Sequence, residues 1–113
     1  MGFLADLFTI SSKNDINEGV EEFHKTPNAL LVDVRYLKEF NEGHVPGAIN
    51  IPLPELADRM QKELPNTDQD IFIYCRSGNR SKQAEKFLLA RCYTHIHEIG
   101  GIKDFAGEVE KED

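Results

Sequence analysis

Cys75 opens the stretch Cys75-Arg76-Ser77-Gly78-Asn79-Arg80-Ser81, and its surroundings are those that make a thiol reactive. Upstream, Ile71-Phe72-Ile73-Tyr74 is a wholly apolar run that reads as a buried strand. Downstream, Ala84, Phe87 and Leu88 share one face of a helix that starts near Asn79. The cysteine therefore stands where a strand ends and a glycine-containing loop turns into a helix N-terminus. Amides of such a loop and of the first helical turn lack intrahelical acceptors, and the positive end of the helix dipole reinforces them. Anions bind there, and so does a thiolate, the nucleophilic form of cysteine. Arg76 and Arg80 add formal charge on either side. The expectation is a thiol on an exposed loop, ionising below the free-cysteine range and doing covalent chemistry on sulfur.

The spacing narrows that chemistry. Four residues separate Cys75 from Arg80, whereas tyrosine phosphatases and their kin carry five between cysteine and arginine; here the next residue is Ser81. A shorter loop has fewer amides and a tighter radius, suited to one sulfur atom with its substituent and too small for a phosphoryl group. Phosphatase and arsenate-reductase activities are disfavoured on this ground. Cys92 lacks any such setting and reads as inert. A helix between the two cysteines would hold them roughly 20 Å apart, too far for a disulfide, so both are expected as free thiols in a reducing, cytoplasmic compartment.

The elements that must position the loop alternate along the chain. Asp15 and Glu18 form a capping box for a helix whose apolar stripe is Ile16, Val20 and Phe23, ended by Thr26-Pro27. Ala29 to Val34 reads as a buried strand broken only by Asp33, and Tyr36 to Asn41 as one or two helical turns. His44-Val45-Pro46-Gly47 is a tight reversal, Ala48 to Ile51 a short strand, and Pro54 opens a helix turning Leu56, Met60 and Leu64 inward. His95 to Ile99 is the last strand, Gly100-Gly101 punctuates it, and Glu108 to Asp113 should fray. Such alternation implies an α/β domain with a mainly parallel sheet covered on both faces, with ligands beyond the carboxyl ends of its strands. Cys75 falls at that edge.

Composition sets the outer bounds. The 113 residues suit one domain, 1–113, and the net charge of −7 argues against nucleic acid as a partner. No apolar run approaches the roughly 20 residues of a membrane span. The N-terminal Met1 to Ile10 is apolar but lacks a basic flank and is interrupted by Asp6, so it is a poor signal peptide and reads as a short turn or strand on the domain.

Several smaller features have structural readings. Asp33 on a buried strand needs a counter-charge, which Arg35 can supply. His44 before the Pro-Gly turn would tie its loop by hydrogen bonds. His95 and His97 share a strand face but have no third ligand nearby in sequence. The acidic residues, spread over helices and tail, read as solvated surface.

Four stretches in order resemble the rhodanese (sulfurtransferase) family: Leu31-Val32-Asp33-Val34-Arg35, Glu42-Gly43-His44 through Pro52, Cys75 through Ser81, and Gly100-Gly101-Ile102. The resemblance implies a single domain with a core over about 9–106, a parallel sheet of about five strands flanked by helices, and a sulfur-carrying Cys75 persulfide. It also implies scaffold roles near the loop for Asp33 and Arg35. Two departures stand out: Arg91-Cys92-Tyr93 has cysteine where the family often has glycine, and Phe105 stands near the family's tryptophan position. The expected reaction is thiosulfate:cyanide-type sulfur transfer, with no metal or organic cofactor. A small anionic donor loads Cys75, a thiol or cyanide unloads it, and a sulfur-relay protein is a possible partner. Amides from Arg76 to Arg80 would cradle the persulfide, the two arginines would orient the donor, Arg80 would also brace the loop, and Ser77 and Ser81 would add hydroxyls. A persulfide carrier or regulatory module with little small-molecule turnover is the alternative.

Overall fold

The computed structural model describes residues 15–112. The expected N-terminal turn or strand lies outside these residues. The first helix, α1 (Ile16–Lys25), starts at Asp15, whose carboxylate accepts from the Asn17 N–H at 2.9 Å. It buries Ile16 and Val20, while Phe23 is half-buried. Then follow β1 (Leu30–Asp33), α2 (Leu37–Glu42), β2 (Ile49–Asn50), a 3-10 turn (Leu53–Glu55) continuing into α3 (Leu56–Glu63), β3 (Ile71–Cys75), α4 (Asn79–Leu89), β4 (Ile96–Gly101) and a 3-10 turn at Ile102–Asp104.

The sheet runs β2-β1-β3-β4 with all neighbours parallel. Among the described residues it has four strands, where about five were expected. All of β3 is buried, as a central strand covered on both faces must be. Its side chains alternate between two cores. Ile71, Ile73 and Cys75 join Val32, Ile51, Leu56 and Leu88 under α3 and α4. Phe72 and Tyr74 join Ile16, Val20 and Leu31 under α1. The strand's pleat thus assigns Cys75 to the face that α4 covers, and α4 begins only a few residues later.

The tail departs from expectation. Glu110 and His44 exchange backbone hydrogen bonds of 2.9 Å in both directions, and the Glu112 N–H reaches Asn41 O at 2.9 Å. The segment expected to fray is instead tied over the loop after α2. No helix among the described residues is long and apolar enough to cross a membrane.

Candidate active site

Cys75 is the last residue of β3 and only 1% exposed. The expected exposed position is corrected: the loop folds back over the sulfur. Two glycines permit this. Gly78, at φ 103°, takes the left-handed conformation that caps α4 and turns its N–H onto Cys75 Sγ at 2.9 Å. Gly101 lies against the backbone of Arg76 and Ser77, so closely that there is no room for a Cβ. The pairing of β3 with β4 slips here: Ile73 faces Glu98, yet Cys75 faces Gly101. This irregularity sets the double glycine beneath the loop.

The sulfur sits among converging donors. Burial pushes the Cys75 thiol up, but the Ser81 hydroxyl and the amides of Ser81, Gly78 and Ser77 together outweigh it, leaving it below its ordinary value. The direction matches expectation; the leading donors differ. Arg80 is turned away, gripping Glu39 through two hydrogen bonds of 2.8 and 3.0 Å, with its guanidinium 5.8 Å from the Tyr36 ring. Glu39 in turn caps α2 at the Tyr36 N–H, 2.9 Å away. The Arg80–Glu39 pair ties the first turn of α4 to α2. Arg76 is exposed and has no ion-pair partner among the described residues. It lines a shallow hollow with Arg35, Glu39, Glu42, Gly43 and Val109. Asn79 is exposed at the first turn of α4, and Ser77 is exposed beside it.

Ser81 is wholly buried. Its Oγ lies 3.4 Å from Cys75 Sγ, 3.1 Å from Gly78 O and 2.5 Å from Glu98 Oε2. Glu98, 8% exposed on β4, also accepts the Gly100 N–H at 2.9 Å. The reading of acidic residues, spread over helices and tail, as solvated surface gave this strand glutamate no role. A signal existed: strand alternation puts Glu98 on the face of Ile96, which packs on the α4 side of the sheet.

Asp33 and Arg35 form a buried scaffold pair. The guanidinium meets both carboxylate oxygens at 2.8–3.1 Å and donates to Gly43 O at 2.7 Å. Burial opposes the charge on Arg35, but the hydrogen bonds and charge of Asp33 prevail and hold its proton more firmly than usual. His44 is buried with its ring stacked on Phe40 at 3.8 Å and Nδ1 2.9 Å from Phe40 O. These three residues fix the loop before β2. His97 stacks on Phe72 and meets Asp70 at 2.8 Å, and no cluster among the described residues is arranged to hold a metal.

The rhodanese-like domain family model matches residues 17–108. The chain belongs to this family. It is 40% identical over 75 residues to thiosulfate sulfurtransferase PspE of Escherichia coli, covering 66% of this chain and 72% of that one. To a sulfurtransferase of Allochromatium vinosum it is 41% identical over 78 residues, covering 68% and 71%. A solved rhodanese with anions from Escherichia coli superposes with a TM-score of 0.68 at 37% identity, over 74% of this chain and 98% of that one. The fold is a rhodanese fold.

Both departures from the rhodanese pattern now have a place. Cys92 is exposed and takes φ 71°, the left-handed conformation that glycine adopts without strain. Phe105 packs with Ile102 at the edge of the α1-side core. Both cysteines are free thiols.

Proposed function

We propose that this rhodanese-like domain is a sulfurtransferase in which Cys75 carries a sulfane sulfur from thiosulfate or a persulfide donor to a thiol or cyanide. The observation that carries this reading is the buried Cys75 Sγ accepting the Gly78 N–H at 2.9 Å, with the Ser81 hydroxyl 3.4 Å from the same sulfur. In the first half-reaction the Cys75 thiolate attacks the outer sulfur of the donor. The donor's S–S bond breaks, its electron pair leaves with sulfite or a thiolate, and Cys75 becomes a persulfide. In the second, the acceptor attacks the terminal sulfur and the Cys75 thiolate is regenerated. The amides stabilise negative charge on sulfur before and after transfer, as oxyanion-hole donors do for oxygen. Exposed Arg76 draws the anionic donor to the rim, while Arg80 and Glu39 keep the loop closed. The sulfurtransferase names of the relatives support this reading, and two free thiols suit a reducing, cytoplasmic setting.

Intact-mass measurement after incubation with thiosulfate should show one added sulfur, and steady-state kinetics with cyanide should be ping-pong. Cys75→Ser should abolish both, whereas Cys92→Ser should leave turnover near wild type. Sulfur loading that survives Cys75→Ser overturns the assignment. Loading without turnover identifies a persulfide carrier in place of an enzyme.

A further inference from the structure

Ser81 Oγ has a single hydrogen and three acceptors around it: Glu98 Oε2 at 2.5 Å, Gly78 O at 3.1 Å and Cys75 Sγ at 3.4 Å. An ionised carboxylate at the shortest of these distances wins the hydrogen, since O–H···O⁻ bonds are the short and strong ones. The oxygen lone pairs of Ser81 are then left to face sulfur, and an S–H group is what they can accept. All four groups are buried, so water does not compete for this hydrogen. The slip between β3 and β4 also fixes Glu98 from its other side, through the Gly100 N–H.

We propose that Glu98 is a positioning residue for Cys75, acting through Ser81 as the internal holder of the proton that the sulfur gives up. The proposal rests on Cys75 being the nucleophile. As the Cys75 S–H bond breaks, its proton forms a bond to Ser81 Oγ, and the original Ser81 hydrogen passes to Glu98 Oε2. Glu98 is then neutral and donates to Ser81, and Ser81 donates to the thiolate. The buried site carries one negative charge before and after, so the thiolate forms without burying a new charge. The reverse movement returns the proton to the thiol. With Glu98 ionised, full removal of the proton would leave two anions sharing one hydroxyl. Glu98 therefore limits how far the amides depress the Cys75 titration, and it keeps the thiolate basic enough to be a strong nucleophile.

The charged groups beside this relay bear on its test. On α4, Glu85 is raised above the ordinary carboxyl range by burial and then by the charge of Glu98, with Lys82 offsetting part of the effect. Arg80 senses the charge of Cys75 but is committed to Glu39. Glu85 is therefore the titrating neighbour to be separated from Glu98.

The experiment is a titration of the Cys75 thiolate by its ultraviolet absorbance, in a Cys92→Ser background so that one thiol reports. Glu98→Gln should raise the thiolate fraction below the midpoint about tenfold, an effect of the size expected for one charge-assisted hydrogen bond. The pH profile of kcat/KM should shift with it. In a Ser81→Ala background the same substitution should shift the titration less than half as far, and Ser81→Thr, which keeps the hydroxyl, should restore the coupling. Glu85→Gln should not reproduce the shift. An unmoved titration in Glu98→Gln overturns the proposal, and so does an equal shift with and without the Ser81 hydroxyl. Should the variants fold poorly, the wild-type protein supplies the readout. The carboxyl carbon NMR shift of Glu98 should inflect at the pH where Cys75 ionises, and its failure to do so overturns the relay. The thiolate titration and the NMR inflection need no sulfur turnover, so loss of the sulfurtransferase reading and loss of the relay are separable.

Discussion

Gly101→Ala is expected to disable the active loop while leaving the fold in place. A Cβ at Gly101 would stand 2.1 Å from Arg76 O and 2.6 Å from both Arg76 C and Ser77 Cα, whereas real Cβ contacts below 3.0 Å essentially do not occur. These are backbone atoms, so no side-chain rotation relieves the overlap. Gly101 is itself held by pairing with Cys75, and the Lys103 N–H binds Arg76 O at 3.2 Å just beyond it. The loop must therefore lift by about 1 Å, the shortfall between the closest approach and the tolerated one. The Gly78 N–H now reaches Cys75 Sγ at 2.9 Å, and such a lift takes at least one amide out of hydrogen-bond range. Losing one preorganised donor costs about 3 kcal/mol in the transition state, or about a hundredfold in rate. The assay is thiosulfate:cyanide turnover, with a thermal melt to confirm the fold and a thiol titration to follow Cys75. The titration should move upward, because burial remains while donors are lost. A folded Gly101→Ala protein with kcat within about threefold of wild type would refute the close-packed cradle.

Two further outcomes follow from the brace and from the loop length. Glu39 is held at about 2, below its ordinary 4.5, mainly by its hydrogen bonds to Arg80, with burial opposing and the Tyr36 amide assisting. A depressed carboxylate stabilises the fold above its unfolded value, so this contribution is complete above 4.5 and is lost as pH falls from there toward about 2. Because the carboxylate is partly solvated, Glu39→Gln should cost only about 1 kcal/mol at neutral pH by urea denaturation, and the difference should vanish toward pH 2; a constant difference across that range would contradict the ion-pair account. Inserting one glycine between Gly78 and Asn79 should carry the Ser81 amide and hydroxyl away from sulfur and lower thiosulfate turnover by about a hundredfold or more. The unmodified protein should show no aryl-phosphate hydrolysis; hydrolysis faster than its sulfur transfer would defeat the loop-size reasoning.

The position of Cys75 between a strand and a helix-capping loop was legible in the chain because its signals are local. An apolar run of strand length, a glycine-bearing turn and a helical stripe within some twenty residues define β3, the loop and α4 almost where they stand. The alternation of elements likewise sufficed for an α/β sheet, and the pairing of Asp33 with Arg35 needed only two residues of separation. What the chain could not disclose depends on partners distant in sequence. Arg80 reads both as a cation for the donor and as a brace for the loop, and its ion-pair partner stays hidden until Glu39, 41 residues earlier, is brought beside it. Glu98 shows no partner in the chain until β4 pairs with β3, Glu98 opposite Ile73, and brings it to Ser81, 17 residues before it. The tail reads as frayed until its backbone meets that of His44. Even the burial of Cys75 requires Gly101 to come up beneath Arg76 and Ser77. Residue type and spacing state which hydrogen bonds and charges are on offer. Only the folded chain decides which partner takes each one, because burial removes water as the default partner and leaves a single neighbour within reach.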